Sequence, residues 1–496
     1  MTSMGEALAG KRIVILGLAR QGMALARFLA QAGADVLVSD LKDEAALADQ
    51  LAELADLPLH YVLGEHPSSL LDRADLLCLS GGVPFDLPLV EEARRRGIPL
   101  SNDAQLFLER CPVSVVGITG SAGKTTTTAL VGEMCRLAGL RTWVGGNIGN
   151  PLIADIDEIE PGDCVLMELS SFQLEVMTTS PHIAAVLNIT PNHLDRHKTM
   201  EDYIAAKRNI VARQKPEDFA LLGYDDANAR ALALDTAAHL LWFSGGAEVE
   251  EGAFKTNGEL TLRLDGVDRV ICQTAEVRLR GYHNLLNFLA ACVLAGVAGV
   301  PVDVMREVAA TFTGVEHRLE LVRELDGIHW YDDSIATAPE RSLAALRSFE
   351  EPIVLLAGGR DKQLPWDDFA DQAVQRVRHL ITFGEAGPMI AEVVEDRLTA
   401  ARRADCQSAL QQAQVRATPH AVLRPSQCLQ GESEAGLTGI TQVDTLEEAV
   451  EAAARLAQPG DVVLLSPGGT SFDAFRDFAE RGTRFKELVQ RLVTSV

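Results

Sequence analysis

The chain has 496 residues, of which 47% are apolar and 23% charged, a composition ordinary for a globular protein but too long for a single core. A net charge of -25 argues against binding of nucleic acid or of an anionic membrane through bulk electrostatics. The eight cysteines form no CxxC pair, so we expect reduced cysteines in a cytosolic protein rather than a zinc or redox motif. The N-terminus lacks the pattern of a signal peptide.

The N-terminal segment has the layout of a Rossmann-like nucleotide-binding domain. An apolar strand at Lys11–Leu16 is followed by a glycine turn, a helix and a second strand that ends in Asp40. The glycines follow the pattern GxxxxG rather than GxGxxG, so a structural turn and a ligand-binding turn both remain open. A further strand, Leu76–Leu79, ends in a tight loop that contains Gly82, where ligands of open α/β sheets gather. We predict a first domain over residues 1–111.

The next segment carries the chemistry of a phosphate-binding loop. An apolar strand, Val113–Ile118, leads into a glycine-rich loop that ends in Lys124 and Thr125 at the start of a helix. Glycines let backbone amides approach phosphate oxygens, the helix N-terminus attracts anions, and lysine and threonine can serve the outer phosphates and magnesium. The strict P-loop pattern has glycine at the position of Ile118, and an ordinary strand–turn–helix is the alternative. The apolar strand and the helix favour a nucleotide phosphate site.

Polar residues follow apolar strands repeatedly in the segment that we predict as the middle domain, residues 112–313. Glu168 lies near the end of one strand, and a polar stretch with His193 follows another. This repetition is typical of a doubly wound sheet with a site along one edge. Taken singly, Glu168 could be a surface or capping glutamate, His193 a structural histidine and Lys207 a solvated lysine.

The C-terminal segment, residues 314–496, alternates strands and helices again, so we predict a second Rossmann-like α/β domain. Its four predicted strands are Ile328–Tyr331, Ile353–Leu356, His379–Phe383 and Asp461–Leu465. The long mixed stretch Ala401–Thr441 contains several prolines and glycines, so we predict a largely irregular surface insertion there.

Ten motifs in order along the chain resemble those of the Mur ligase family of ATP-dependent amide-bond-forming enzymes. They are GITGSAGKTTT at 117–127, GNIGNP at 146–151, ELSSFQLE at 168–175, LNITPNHLD at 187–195, AAK at 205–207, GYHNLLN at 281–287, EHRLE at 316–320, DDSIAT at 332–337, GGRDK at 358–362 and LLSPGGTSFDAF at 464–475. No single motif is decisive, but the ordered set over all three predicted domains is specific. The sequence ELSSFQLE points to the glutamate-adding branch.

The resemblance implies a cytoplasmic, monomeric ligase that adds D-glutamate to UDP-N-acetylmuramoyl-L-alanine through an acyl phosphate, with ATP and Mg²⁺ as cofactors. It implies three catalytic residues: Lys124, His193 and Lys207. The implied ATP-binding residues are Gly117, Thr119, Gly120, Ser121, Ala122, Gly123, Lys124, Thr125, Thr126, Asn284, Asn287, Arg318 and Asp333. The implied metal ligands are Thr125, Glu168, His193 and Lys207, with Lys207 carbamylated so that it offers oxygen to a hard metal. The residues implied for UDP-muramoyl-alanine are Leu18, Ala19, Asp40, Gly82 and Asn147, and those for glutamate are Thr337, Lys362, Ser471 and Phe478.

The chain departs from the glutamate-adding pattern at three loops. Ile335 stands where DSKAT has its lysine, residues 466–471 read SPGGTS rather than SPACAS, and Ser121-Ala122 replaces TN before the GK pair. The first two departures resemble a variant subgroup, part of which adds L-glutamate, so that activity is the alternative to D-glutamate. An NAD-dependent oxidoreductase would leave the GKT loop without a purpose. A catalytically inactive protein that senses cell-wall precursors would not need the metal-binding and phosphate-binding residues that this chain retains.

Overall fold

The computed structural model describes residues 8–493 except 148, 193, 363 and 417–435. Within that range, only the backbone is described for residues 194, 195 and 404–416. The described residues form two compact units, one ending at Phe312 and the other beginning at Thr313. The first unit contains two sheets and the second contains one. Within the described residues, no helix combines the length and the apolar character needed to cross a bilayer.

The N-terminal sheet is parallel throughout, with the strand order β3-β2-β1-β4-β5. Its strands are β1 (Arg12–Leu16), β2 (Asp35–Asp40), β3 (Leu59–Leu63), β4 (Leu76–Leu79) and β5 (Leu100–Ser101). The helices that accompany them are α1 (Arg20–Gln31), α2 (Ala48–Glu53), α3 (Pro88–Arg95) and α4 (Asp103–Leu108). The central strand β1 is apolar and buried on both faces, as a parallel sheet between helices requires. The carboxyl ends of β1, β2 and β4 therefore lie along one edge.

The middle sheet has the order β14-β13-β12-β11-β10-β9-β6-β8-β7, parallel from β7 to β12 and antiparallel beyond. Its strands are β6 (Val115–Thr119), β7 (Thr142–Gly146), β8 (Cys164–Glu168), β9 (Ile183–Val186), β10 (Phe219–Gly223), β11 (His239–Ser244), β12 (Gly252–Thr256), β13 (Glu259–Leu264) and β14 (Val267–Gln273). Its helices are α5 (Lys124–Leu137), α6 (Ser171–Val176), α7 (Leu194–His197), α8 (Met200–Arg208), α9 (Ala227–Ala231), α10 (Tyr282–Val297) and α11 (Val302–Thr311). Strand β6 lies between β8 and β9, so the loop after β6 lies between the ends of two other buried strands.

Buried polar contacts join the N-terminal and middle sheets within the first unit. The Asn102 side-chain amide donates to the Gln173 carbonyl oxygen at 2.8 Å, and Gln105 donates to the Thr178 hydroxyl at 2.9 Å. One hydrophobic core contains residues from both sheets, including Leu25 of α1. Apolar packing and satisfied hydrogen bonds both cross this junction, so the two sheets belong to one compact unit.

The C-terminal unit is built on a sheet of order β15-β16-β20-β17-β18-β19, parallel except for the β15–β16 hairpin. Its strands are β15 (Glu320–Leu325), β16 (Ile328–Asp332), β17 (Ile353–Gly358), β18 (Val377–Phe383), β19 (Gly439–Gln442) and β20 (Val462–Gly468). Its helices are α12 (Pro339–Leu346), α13 (Asp367–Arg376), α14 (Gly387–Arg416), α15 (Leu446–Leu456) and α16 (Phe478–Arg491). The loops after β16, β17 and β20 lie at one edge of this sheet.

Two expectations about the C-terminal segment were wrong. Residues 401–416 are helical rather than irregular, because this run of alanine, arginine and glutamine contains no proline or glycine to end α14. The rest of the predicted insertion up to residue 435 lies outside the described residues. The sheet also contains β15 and β19, two edge strands with polar sequences that the four-strand prediction missed.

Candidate active site

The phosphate loop connects β6 to α5, and close contacts explain its unusual glycine spacing. Gly123 has φ +85°, a backbone conformation that suits glycine, and a Cβ there would lie 2.1 Å from the Asn287 side-chain oxygen. A Cβ at Gly117 would lie 2.5 Å from Pro181, and one at Gly120 would lie 3.0 Å from the Ala122 carbonyl oxygen. The loop therefore needs glycine where neighbouring chain segments approach most closely.

Asn188, which follows β9, fixes the middle of the phosphate loop. Its carbonyl oxygen accepts from the Ser121 amide at 2.9 Å, and its side-chain oxygen accepts from the Ala122 amide at 2.9 Å. The Tyr203 hydroxyl lies 3.0 Å from the Ser121 hydroxyl. Because these two loop amides are already paired, we expect a phosphate to meet the loop mainly at the first turn of α5, which begins at Lys124.

Two lysine amines converge on the carbonyl oxygen of Gly120. Lys124 Nζ lies 2.9 Å and Lys207 Nζ 3.0 Å from this oxygen, and Lys207 also donates to the Thr119 hydroxyl at 3.2 Å. Lys207 is buried, with 1% of its surface exposed. Burial, and then the charge of Lys124, lower the pKa of Lys207 well below that of an ordinary lysine, against the opposite effect of Glu168. The protonated form of the Lys207 amine is therefore disfavoured at this buried position.

Glu168 ends β8 beside the phosphate loop and is fully buried. The Thr125 hydroxyl donates to one carboxylate oxygen at 2.8 Å, and the side-chain amide of Asn147 donates to the other at 2.9 Å. Hydroxyl and carboxylate oxygens are the ligand types that Mg²⁺ prefers, so Thr125 and Glu168 fit a metal site beside the phosphates. Of the other implied ligands, Lys207 contacts the same loop, whereas His193 lies outside the described residues.

Asn284 and Asn287, expected on the adenine side, lie in the first turns of α10. Asn287 is buried and its side-chain amide donates to Asn284 at 3.2 Å. Its oxygen lies against Gly123, as the close approach described above requires. The structure therefore brings the two asparagines next to the phosphate loop, although more than 150 residues separate them in sequence.

Four of the five residues expected to hold UDP-muramoyl-alanine lie at one edge of the N-terminal sheet, and the fifth, Asn147, follows β7. The Leu18 amide donates to one oxygen of Asp40 at 2.7 Å, and the Lys42 amide donates to the other at 2.9 Å. Ala19 is exposed just after Leu18, and Gly82 is exposed in the loop after β4. Strand ends of this kind are the usual ligand positions in open α/β sheets. A small cleft lies beside that loop, lined in part by residues of α6.

In the C-terminal unit, Asp333 is buried directly after β16. The Ser466 hydroxyl donates to its carboxylate at 2.8 Å. Burial raises the pKa of Asp333 to about 7, although Ser466 and the charge of Arg318 act in the opposite direction. Asp333 and Arg318, both expected at the nucleotide, therefore influence each other electrostatically within this unit.

Three of the residues expected at glutamate lie on loops that follow strands of the C-terminal sheet, and the fourth, Phe478, begins α16. Lys362 Nζ lies 3.4 Å from the Thr337 hydroxyl. Ser471 is buried after β20, and the Phe478 ring lies against His317, with 6.3 Å between ring centres.

Arg481 ties together the two loops that depart from the glutamate-adding pattern. Its guanidinium donates to the Ser334 hydroxyl at 2.9 Å, to the Ser334 carbonyl at 2.9 Å and to the Gly469 carbonyl at 3.2 Å. Arg481 is completely buried, and this burial lowers its pKa to about 10. The guanidinium therefore holds the loops after β16 and β20 at a fixed separation.

A group of His317, Glu320 and Asp332 has ligand atoms close enough for a metal ion. However, His317 Nδ1 already bonds Asp332 at 2.7 Å, and Lys486 lies 3.3 Å from Glu320. The lysine charge competes with any cation, so the arrangement suits a structural contact with α16 better than a metal site.

Three family models match successive parts of the chain: the Mur ligase MurD-like N-terminal domain at residues 11–102, the Mur ligase middle domain at 118–295 and the Mur ligase glutamate ligase domain at 317–424. The chain is also 42% identical to UDP-N-acetylmuramoylalanine--D-glutamate ligase of Symbiobacterium thermophilum, over 97% of this chain and 98% of that protein. This chain belongs to the Mur ligase family. A second relative with the same name, from Geobacter metallireducens, is 40% identical over 98% of this chain and 99% of its own length.

The fold agrees with this membership. A crystal structure of the Mur ligase MurF from Acinetobacter baumannii matches with a TM-score of 0.53 and 16% identity, covering 96% of this chain and 93% of that one. The expected three-domain Mur ligase architecture is confirmed, with N-terminal, middle and C-terminal domains. The domain bounds 1–111, 112–313 and 314–496 stay predictions.

Sequence reasoning missed several residues that shape this Mur ligase site. Asn188 and Tyr203 brace the phosphate loop, and Arg481 joins two loops, yet none of these was assigned a role. Asn188 stands directly after a strand, at the sheet edge where polar residues gather, and that position was the available signal. The cysteines among the described residues are free thiols, most of them buried.

Proposed function

We propose that this chain is an ATP-dependent acid–amino-acid ligase that joins D-glutamate to UDP-N-acetylmuramoyl-L-alanine in the synthesis of peptidoglycan precursors. The observation that carries the proposal is the contact of Lys124, Thr125, Glu168 and Lys207 around one phosphate loop. Its support from the comparisons is the full-length similarity to proteins named as D-glutamate ligases.

The proposed reaction begins when the substrate carboxylate attacks the γ-phosphorus of ATP. An oxygen–phosphorus bond forms, the bond to ADP breaks, and an acyl phosphate results. Lys124 and the amides at the start of α5 hold the phosphates and offset the repulsion between the two anions. Magnesium, when bound by the Thr125 hydroxyl and the Glu168 carboxylate, supplies further neutralisation of phosphate charge. The glutamate amine then attacks the activated carbonyl carbon, phosphate leaves, and the amine loses a proton.

We assign Asn284 and Asn287 to the adenine side of ATP, and Arg318 and Asp333 to further nucleotide contacts. Leu18, Ala19, Asp40, Gly82 and Asn147 are assigned to the UDP-muramoyl-alanine substrate. The contacts of Asn147 support its assignment. Its side-chain amide donates to the Glu168 carboxylate, and its backbone carbonyl oxygen accepts from Arg20 of α1 at 3.4 Å. Asn147 therefore stands between the metal carboxylate and the N-terminal sheet.

Carbamylation of Lys207 is a further part of the proposal. A neutral amine attacks the carbon of carbon dioxide, a nitrogen–carbon bond forms, and one proton leaves to solvent. The lowered pKa of Lys207 supports this step, because only the unprotonated amine is a nucleophile. The product is an anionic oxygen donor, which together with His193 would suit a second magnesium.

The residues assigned here all belong to one chain, and we propose that the protein acts as a monomer. We place the reaction in the cytoplasm, where ATP and nucleotide-linked sugars are available.

The test is release of phosphate from ATP in the presence of Mg²⁺ and UDP-N-acetylmuramoyl-L-alanine, with D- or L-glutamate added separately. We expect release with D-glutamate that Lys124→Ala abolishes and that Lys215→Ala, an exposed lysine, leaves near the wild-type rate. Release only with L-glutamate would move the assignment to the alternative activity. The proposal fails if neither isomer stimulates release.

A further inference from the structure

Three cations of the C-terminal unit, Arg318, Arg341 and Lys362, form what we call the cation group. Arg318 precedes β15, Arg341 lies in the first turn of α12, and Lys362 follows β17. Among the described residues, none of the three forms an ion pair with a carboxylate within 4.0 Å. The group therefore carries positive charge that no close ion pair offsets.

The members of the cation group disfavour each other's charge. Loss of hydration, and then the nearby Arg318, lower the pKa of Arg341. Loss of hydration, and then the nearby Arg341, lower the pKa of Lys362. The carboxyl among them, Asp333, is buried with its pKa raised to about 7, so near neutral pH it carries only part of a negative charge. Like charges kept together in this way are typical of sites that bind an anion.

Two members of the group, Arg341 and Lys362, contact the loop after β16 that contains Ile335. Arg341 donates to the Ile335 carbonyl oxygen at 3.2 Å, and Lys362 lies 3.4 Å from the Thr337 hydroxyl. The loop is held firmly, since the Gly468 amide donates to the Ala336 carbonyl at 2.9 Å. The Arg341 contact uses one of five guanidinium N–H groups, and the planar fork of arginine matches a carboxylate.

We propose that Arg341 binds a carboxylate of the incoming amino acid, opposite Lys362, and so helps to select an amino acid with two carboxylates. In this arrangement the guanidinium of Arg341 supplies the positive charge that the apolar side chain of Ile335 cannot. The inference rests on the proposed ligase function, which the phosphate-release assay tests first on the unmodified protein.

The experiment measures KM for glutamate, ATP and UDP-N-acetylmuramoyl-L-alanine in Arg341→Gln. Loss of a charge-assisted hydrogen bond predicts a KM for glutamate raised roughly ten- to hundredfold, with the other two KM values little changed. Arg347→Gln changes an exposed arginine at the end of the same helix and should behave like the wild type. Adding Ile335→Lys to the Arg341→Gln variant should restore part of the lost affinity for glutamate.

Two outcomes would overturn the assignment of Arg341. An unchanged KM for glutamate would leave the guanidinium as a support for the Ile335 carbonyl, and a raised KM for ATP alone would make it a nucleotide contact. Absence of glutamate-dependent phosphate release from the unmodified protein is a separate result, because it rejects the proposed function whatever Arg341 does.

Discussion

The substitution Gly123→Ala tests whether the phosphate loop and the asparagines of α10 form one ATP site. An alanine Cβ would lie 2.1 Å from the Asn287 side-chain oxygen and 3.0 Å from its Cγ. Ordinary contact begins near 3.4 Å, so the amide of Asn287 must retreat by about an ångström. This movement would break the 3.2 Å hydrogen bond from Asn287 to Asn284.

Two effects of this substitution can be separated in magnitude. The left-handed backbone at φ +85° costs a residue with a side chain about 1–2 kcal/mol. Displacement of Asn287 removes about another 1 kcal/mol and disturbs the ATP site itself. We therefore expect a lower melting temperature, by roughly 2–6 °C, and a KM for ATP raised roughly tenfold or more.

Gly139→Ala is the matched control, since Gly139 follows the end of the same helix with φ +84°, and a Cβ added there would meet no atom within 4 Å. It should share the backbone strain and the loss of melting temperature but retain the wild-type KM for ATP. Thermal unfolding with and without ATP, together with steady-state kinetics, separates the two effects. Equal KM values for ATP in both variants would refute the reasoning about Asn287.

Three further variants test other parts of the site. Lys207→Ala should lose activity and regain part of it with added short-chain carboxylic acids, which mimic a carbamate; full activity without them would contradict the carbamate. Glu168→Gln should raise the Mg²⁺ concentration for half-maximal activity roughly tenfold or more, and an unchanged requirement would remove Glu168 from the metal site. Burial raises the pKa of Asp333 from 3.8 to about 7, so its contribution to stability is complete below about pH 4 and is lost as the pH rises through about 7. The unfolding free energy of the wild type, measured relative to that of Asp333→Asn, should therefore fall by a few kcal/mol as the pH rises through this range, on the order of 1.4 kcal/mol per unit of pKa shift. A difference in unfolding free energy that does not change with pH would contradict the raised pKa.

The elements of the site that depend on local pattern could be predicted from the sequence. An apolar strand, a glycine loop and a helix start are encoded within one short segment, and Glu168 stands at a strand end that the alternation of apolar and polar residues reveals. The order of the ten motifs along the chain indicated the Mur ligase family. These features need no knowledge of distant contacts.

Contacts between distant segments could not be predicted from the sequence. Nothing near Gly123 indicates that Asn287 packs on it, and nothing near Ser334 indicates that Arg481 donates to its hydroxyl. Both contacts depend on how helices pack on a sheet. The helix through residue 416 could not be predicted for another reason: the prolines and glycines beyond it favour irregular structure, although the uninterrupted helix formers before them extend α14.

The buried guanidinium of Arg481 also bears on attempts to redesign the amino-acid preference of this enzyme. Because it fastens Ser334 and Gly469 at once, an exchange of one loop alone would leave the arginine matched to only one of its two partners. Among related proteins, substitutions in the loop after β16 should then accompany substitutions in the loop after β20. Loops transferred from a relative with a different amino-acid preference would have to be exchanged together to keep both sets of hydrogen bonds to Arg481.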